Sequence, residues 1–232
     1  MTNHEITDPA FIEIIRDADY RKATGLSQSM LKEFTRSPAH YLASTERIKE
    51  PTKAMQFGTA FHANLLANFP EEMFAVKRKV DGRSKEGKAY NDNFSLENAG
   101  KAIIDEEDFK TIEAMSHAVR SHETAGKLLL GVTARECAVF GTHRGVRLKG
   151  LLDGYNKNEG IVIDLKTAED ASPVGFRRAI RDRRYDLQVV HYTWLMQNAG
   201  LPVNNFYFIA IEKEPPYAVG IYSIHPASLE LT

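Results

Sequence analysis

At 232 residues, 43% of them hydrophobic and 26% charged, the chain can bury a substantial core without disulfides or structural metals, which excludes a peptide-sized module and a disordered or fibrous chain. A formal net charge of -1 names no polyanionic partner, although a local basic patch would be enough to hold a nucleic acid. The single cysteine, Cys137, excludes a disulfide framework and any cysteine-built zinc or iron–sulfur site, and it fits a reducing, cytoplasmic compartment. No window approaches the roughly 20 apolar residues of a membrane span, and the acidic start up to Glu13 is not a leader, so neither export nor membrane insertion is expected.

In chain order, Leu26-Ser27-Gln28-Ser29-Met30-Leu31 opens a helix that Ser27 or Ser29 can cap, with Leu31, Phe34 and Tyr41 roughly on one face until Pro38 disturbs it. A second helix is predicted from Met55 to about Asn68. Lys77 to Lys88 has loop composition and strong positive charge. A long structural helix follows from about Glu106 to Leu130. From Ala134 to Lys166 the period changes to two, giving an antiparallel meander of three strands with turns near Thr142–Gly145 and Asn156–Gly160. An Arg-rich helical stretch from Pro173 to Asn198, with room for a break, precedes strands at Phe206–Ile211 and Ala218–Ile224 that turn at Pro215-Pro216. There is no repeat or linker. A single domain over 1–232 is expected, with a mainly helical part to residue 130 and a sheet–helix–sheet part from 131.

Two acids stand out in the meander. In the third strand Ile161, Ile163 and Leu165 share one face, while Val162, Asp164 and Lys166 share the other. A four-residue loop over Lys157–Gly160 pairs Asn156 with Ile161 and sets Asp153 directly opposite Asp164, with Cβ atoms about 4.5–5.5 Å apart. Opposed like charges destabilise a sheet unless a divalent cation lies between them. A five-residue loop would shift the pairing and leave two solvated strand-end acids, so spacing alone keeps both arrangements open. Asp164-Leu165-Lys166 places an acid and an amine on one side of a strand end, which suits a metal ligand beside a group that orients water. Asp108-Phe109-Lys110 and Glu86-Gly87-Lys88 repeat that spacing but end no apolar strand.

Gly150-Leu151-Leu152-Asp153, then Ile161 to Thr167 with Asp164-Leu165-Lys166, then Gln188-Val189-Val190-His191-Tyr192 together resemble the PD-(D/E)xK nuclease superfamily in its RecB-like branch. Gly25 to Leu31, Phe57-Gly58-Thr59-Ala60-Phe61-His62 and the Asp81 to Lys88 loop are similar to the RecE-type nuclease domain of exonuclease VIII from prophages. The resemblance covers nearly the whole chain, and several ordered motifs are more specific than any one. It implies an α/β fold with a restriction-endonuclease-like core, a mixed central sheet flanked by helices. It implies His62, Asp153, Asp164 and the Leu165 carbonyl as metal ligands and Lys166 as the catalytic lysine. Hard oxygen ligands suit Mg2+, with Mn2+ as a substitute.

By themselves several of these residues have plainer roles. His62 beside Phe61 and Leu65 reads as a packed histidine, although Gly58 leaves room beside it. Gln188 and Tyr192 share a helix face and read as packing; the resemblance places them at the border of the site, positioning substrate or lysine. Glu136 reads equally as a neighbour of the site or an exposed strand acid. Arg83, Lys85 and Lys88 could bind DNA phosphates, and Arg177, Arg178, Arg181, Arg183 and Arg184 could do so or pair with acids such as Asp182 and Asp186. Ser27 and Ser29 could hold a terminal 5′-phosphate at a helix N-terminus or serve as caps.

The resemblance implies an exonuclease acting 5′ to 3′ on double-stranded DNA ends, a ring-shaped homo-oligomer, and a single-strand annealing recombinase as companion. A structure-specific or nicking endonuclease on the same fold and an inactive DNA-binding scaffold are the other readings. Relatives usually continue into another helix, whereas this chain stops at Leu229-Glu230-Leu231-Thr232, which points to a truncated or degenerate prophage copy or a trimmed chain.

Overall fold

The computed structural model describes residues 8–46 and 50–224. In chain order they form β1 (Ala10–Ile12), α1 (Asp17–Lys22), α2 (Gln28–Arg36), α3 (Pro38–Glu46), α4 (Lys53–Leu66), α5 (Pro70–Met73), β2 (Phe74–Lys77), α6 (Lys85–Glu97), β3 (Ala102–Asp105), α7 (Glu106–Ser121) and α8 (Glu123–Leu130). The second half forms β4 (Ala134–His143), β5 (Val146–Asn156), β6 (Ile161–Ala168), α9 (Pro173–Arg183), α10 (Tyr185–Asn198), β7 (Asn205–Glu212) and β8 (Val219–Ile224). The terminal Leu229–Thr232 lies outside the described residues. Among those residues no helix is long and apolar enough to cross a membrane.

The alternation of β6 dictates a two-sided sheet. Six strands lie in the order β1-β4-β5-β6-β7-β8, antiparallel except for β6 with β7. Ile163 and Leu165, with Ile209 and Ile211 of β7, pack under Phe61, Ile112 and Met115 of α4 and α7. Val162, Phe206 and Phe208 face the other way, against Phe176 of α9 and Val189 and Leu195 of α10. Full burial of such side chains contributes about 1.5–3 kcal/mol each, so both layers are anchored on the same strand pair. The crossover β6-α9-α10-β7 is what parallel pairing requires. This is the mixed sheet flanked by helices that the motifs imply.

Local chemistry sets the helix starts. The Thr52 side chain accepts from Met55 N to begin α4, Asp105 accepts from Asp108 N to begin α7, and Ser172 accepts from Gly175 N to begin α9. The predicted helix over 106–130 is interrupted at His122, whose extended backbone ends α7 and whose ring caps α8. Arg184, at φ 55 and ψ 49, breaks α9 from α10.

Several expectations need correction. Lys77 to Lys88 is not all loop: β2 ends at Lys77, and Ser84 caps Gly87 N, so Lys85 and Lys88 lie in the first turn of α6. A Cβ on Gly87 would fall 1.9 Å from the Asp81 carbonyl oxygen, so this turn is closed by a backbone approach that only glycine permits. The part before residue 130 also contributes strands: β1 joins the main sheet, while β2 and β3 form a separate parallel pair. Pro38 begins α3 rather than merely disturbing α2, since its fixed φ suits a first helical turn. Ser27 occupies the N-cap position of α2, but its hydroxyl bonds Ser29 Oγ at 3.0 Å instead of a backbone amide.

The sheet forks. β5 and β6 share three pairs, Asn156↔Ile161, Tyr155↔Val162 and Gly154↔Ile163, after which β5 stays with β4 and β6 stays with β7. Part of the vacated β5 edge is taken by Leu26, whose N–H donates to the Arg147 carbonyl at 2.9 Å and whose carbonyl accepts from Lys149 N at 3.0 Å. Gly25, at φ +135, brings the chain against Leu148 and Lys149 there. Lys149, only 8% exposed, donates from Nζ to the Ala23 carbonyl at 2.7 Å and the Tyr20 carbonyl at 3.1 Å, closing the C-terminus of α1.

Candidate active site

The four-residue hairpin holds, with Asn156 paired to Ile161, but the ladder ends one step before the two acids. Asp153 and Asp164 therefore flank the fork rather than forming a directly paired rung. The Asp153 carboxylate enters the opening and accepts from Leu165 N at 2.7 Å, a charge-assisted bond in place of a ladder bond. From above, α4 places His62 Nδ1 3.3 Å from the same Asp153 oxygen.

Asp164 is 2% exposed. Gln188 Nε2 donates to its Oδ2, and Lys166 Nζ contacts its Oδ1. Beyond the lysine, that Oδ1 has no further partner among the described residues and is buried. Burial pushes the Asp164 carboxyl up; Lys166 acts against the rise, and Asp153 adds to it. Burial would raise Asp153 as well, but the His62 imidazole beside it, Lys166 and the Leu165 amide hold it below the usual carboxylate range. For Lys166, burial works downward and is outweighed by Asp164 and Asp153, so the amine is held above its ordinary value. Its charge is thus kept in place by the two acids.

Glu136 completes the row. The β4–β5 register, with Arg135↔Gly154 and Cys137↔Leu152, sets it level with Asp153, and its backbone is left-handed at φ 43. Burial first and then the Asp153 charge push its carboxyl up to about 7. Sequence reasoning left Glu136 open because its place depends on meander register.

Gln188 and Tyr192 share a side-chain hydrogen bond and reach different partners beyond it. Gln188 reaches Asp164, while the Tyr192 ring lies over Gly150, where a Cβ would stand 3.0 Å from two ring carbons. The glycine of the Gly150-Leu151-Leu152-Asp153 motif thereby gains a physical reason. A Cβ on Gly58 would meet nothing within 4 Å, so the space beside it is open.

Ser27 and Ser29 lie at the start of α2, with Gln28 Nε2 3.4 Å from the Arg184 carbonyl, and no described contact joins either serine to the acids. Arg83, Lys85 and Lys88 are exposed and, among the described residues, make no ion pair and no contact with the carboxylates. Arg181 and Arg184 are paired with Asp182 and Asp186.

Among the described residues no three His, Cys, Asp or Glu side chains form a ready metal cage. The donor set still fits a hard divalent cation, because magnesium retains waters and needs only one or two carboxylates. Asp153, Asp164 Oδ1, which now faces only the Lys166 ammonium, and the Leu165 carbonyl would hold it, with His62 alongside. Bound there, such a cation supplies charge neutralisation at phosphate and an acidified water.

A forked mixed sheet bearing Asp153, Asp164 and Lys166 defines the class: a PD-(D/E)xK fold. Residues 27–231 match the model of the family described as PDDEXK-like domain of unknown function (DUF3799), and the chain belongs to that family. A crystal structure of a protein from Eubacterium rectale named "Putative exonuclease" superposes with a TM-score of 0.63 at 16% identity, covering 94% of this chain and 80% of that one. That likeness shows the fold. A structure of SSO0001, at 12% identity over 86% of this chain and 79% of that one, superposes with a TM-score of 0.32. No curated protein matches the chain.

Proposed function

We propose that this chain is a Mg2+-dependent deoxyribonuclease, with Mn2+ as substitute, that hydrolyses linear double-stranded DNA 5′ to 3′ and leaves 3′ single-stranded tails for phage-type recombination. The observation that carries this reading is the meeting of Asp153, Asp164 and Lys166 at the sheet fork, where Asp153 accepts from the Leu165 amide. The family description and the name of the Eubacterium rectale protein support a nuclease.

In this reading Asp153, Asp164, the Leu165 carbonyl and His62 hold the cation, and Gln188 fixes the Asp164 carboxylate. Lys166, which only donates, holds the attacking water or a non-bridging phosphate oxygen and stabilises the charge that develops there. Tyr192 borders the cleft. Arg83, Lys85 and Lys88 neutralise backbone phosphates, and Ser27 and Ser29 receive the 5′-phosphate. The whole chain acts as one catalytic unit, assembled as a ring of copies and working with a single-strand annealing recombinase, as in the exonuclease VIII type.

The test is digestion of linear against covalently closed duplex with Mg2+, each strand end-labelled. Loss of label from 5′ ends, with circles left intact, is expected. Cutting of circles would make the protein an endonuclease, and no cleavage of either would refute the enzyme reading.

A further inference from the structure

Lys166 is held from two sides. Asp164 Oδ1 contacts its Nζ on one, and on the other the ammonium lies 4.9 Å from the centre of the Tyr185 ring and 5.7 Å from that of Phe208. The two rings stack with centres 5.4 Å apart and planes 26° apart, and Phe176 lies 5.9 Å from Tyr185. Tyr185 is the first residue of α10, set by the left-handed turn at Arg184. An L-residue adopts that backbone at a cost of about 1–2 kcal/mol, so the break that carries Tyr185 is a strained feature kept by its surroundings.

Asp164 cannot give the same charge fully to a lysine and to a cation. Once a cation takes Asp164 Oδ1 and draws on Asp153 as well, the ammonium loses the hold of both acids, and the aromatic faces are the attraction left in contact with it. We infer that Tyr185 is a positioning residue for Lys166: stacked on Phe208, its ring is the shelf that keeps the ammonium at the cleft when Asp164 serves a divalent cation. The consequence for cleavage rests on the nuclease reading above, but the contact itself does not. Packing alone would be met by any apolar side chain of similar volume, whereas the shelf requires a π face.

The test compares Tyr185→Phe, which keeps the ring, with Tyr185→Leu and Tyr185→Met, which keep apolar bulk, all in the full chain. With Mg2+ and linear duplex, Tyr185→Phe should stay within about twofold of the parent, while the aliphatic variants should lose about tenfold in kcat at unchanged KM. Independently of turnover, the Lys166 Hε resonances should be shifted upfield by ring current in the parent and in Tyr185→Phe, with and without Mg2+, and return toward free-lysine values in Tyr185→Leu and Tyr185→Met. Equal Hε shifts in ring-bearing and aliphatic variants would overturn the shelf, as would equal kcat. If the parent cleaves nothing, the nuclease reading fails and the resonances alone decide the shelf. Should Tyr185→Leu fail to fold, Tyr185→Met carries the same comparison.

Discussion

Asp164→Asn separates the cost of the acid from its use. Two opposed acids in a sheet suggest that removing one would relieve repulsion, but the structure reverses that expectation, because Asp164 is the contact partner of Lys166. Asparagine keeps the volume and an acceptor for Gln188 while leaving the lysine, whose side chain is 17% exposed, without its nearest anion. Breaking a buried pair from one side costs about 3–5 kcal/mol, and the lower end applies here because Asp153 still lies near the amine. For a domain of this size about 3 kcal/mol corresponds to roughly 6–12 °C in Tm. Removing both charges in Asp164→Asn/Lys166→Met should recover most of the loss, since apolar replacement of a buried pair is neutral or stabilising. Urea titration in the presence of a chelator, at fixed pH and unchanged m, measures both variants. If Asp164→Asn is as stable as the parent, or the double variant is no more stable than the single one, the account of the pair is wrong. Both variants should be inactive on DNA.

Burial holds the His191 imidazole below its ordinary value, and its Nε2 is paired with the Lys149 carbonyl, so its contribution to stability is present above the unfolded histidine pKa and lost as pH falls through the depressed folded one; His191→Gln should flatten the acid side of a Tm–pH profile. Gly150→Val drives a Cβ to 3.0 Å from the Tyr192 ring and should cost about 1–3 kcal/mol, read as a lower Tm and partly restored by Tyr192→Ala. Arg83→Ala with Lys85→Ala should reduce the salt slope of DNA binding by about two while leaving Mg2+ affinity unchanged, and an unaltered slope would return these residues to a solvated face. Ser29→Ala should slow digestion of 5′-phosphorylated ends more than of 5′-hydroxyl ends, and equal slowing would leave the serines as helix-start residues.

The sheet was legible where alternation was strong. β6 has apolar residues at 161, 163 and 165 against Val162, Asp164 and Lys166, and of the two loop lengths that the spacing left open the four-residue one sets the hairpin register. The point at which the ladder stops was not legible, because it depends on a side chain, Asp153, replacing a backbone partner. β1, β2 and β3, of three or four residues each, are too short to show a period. Ser84 did carry a readable helix-start signal, outweighed by the basic composition around it. Tyr185 had no local signal, since its meaning comes from a lysine on another strand.

The fork also bears on inheritance. Three rungs of the β5–β6 hairpin and the bond from Leu165 N to Asp153 set the separation of Asp153 and Asp164, far from the outer arms of β4, β5 and β8. Substitutions in those arms answer to packing and to local contacts such as those of Lys149, whereas an insertion inside the rungs between Gly154 and Ile163 would slide one acid past the other and turn its side chain to the opposite face. A fold arranged this way can drift widely in sequence, which agrees with a shared architecture at 16% identity. A change of length is thus expected to be tolerated in the arms of the sheet and not within that short hairpin.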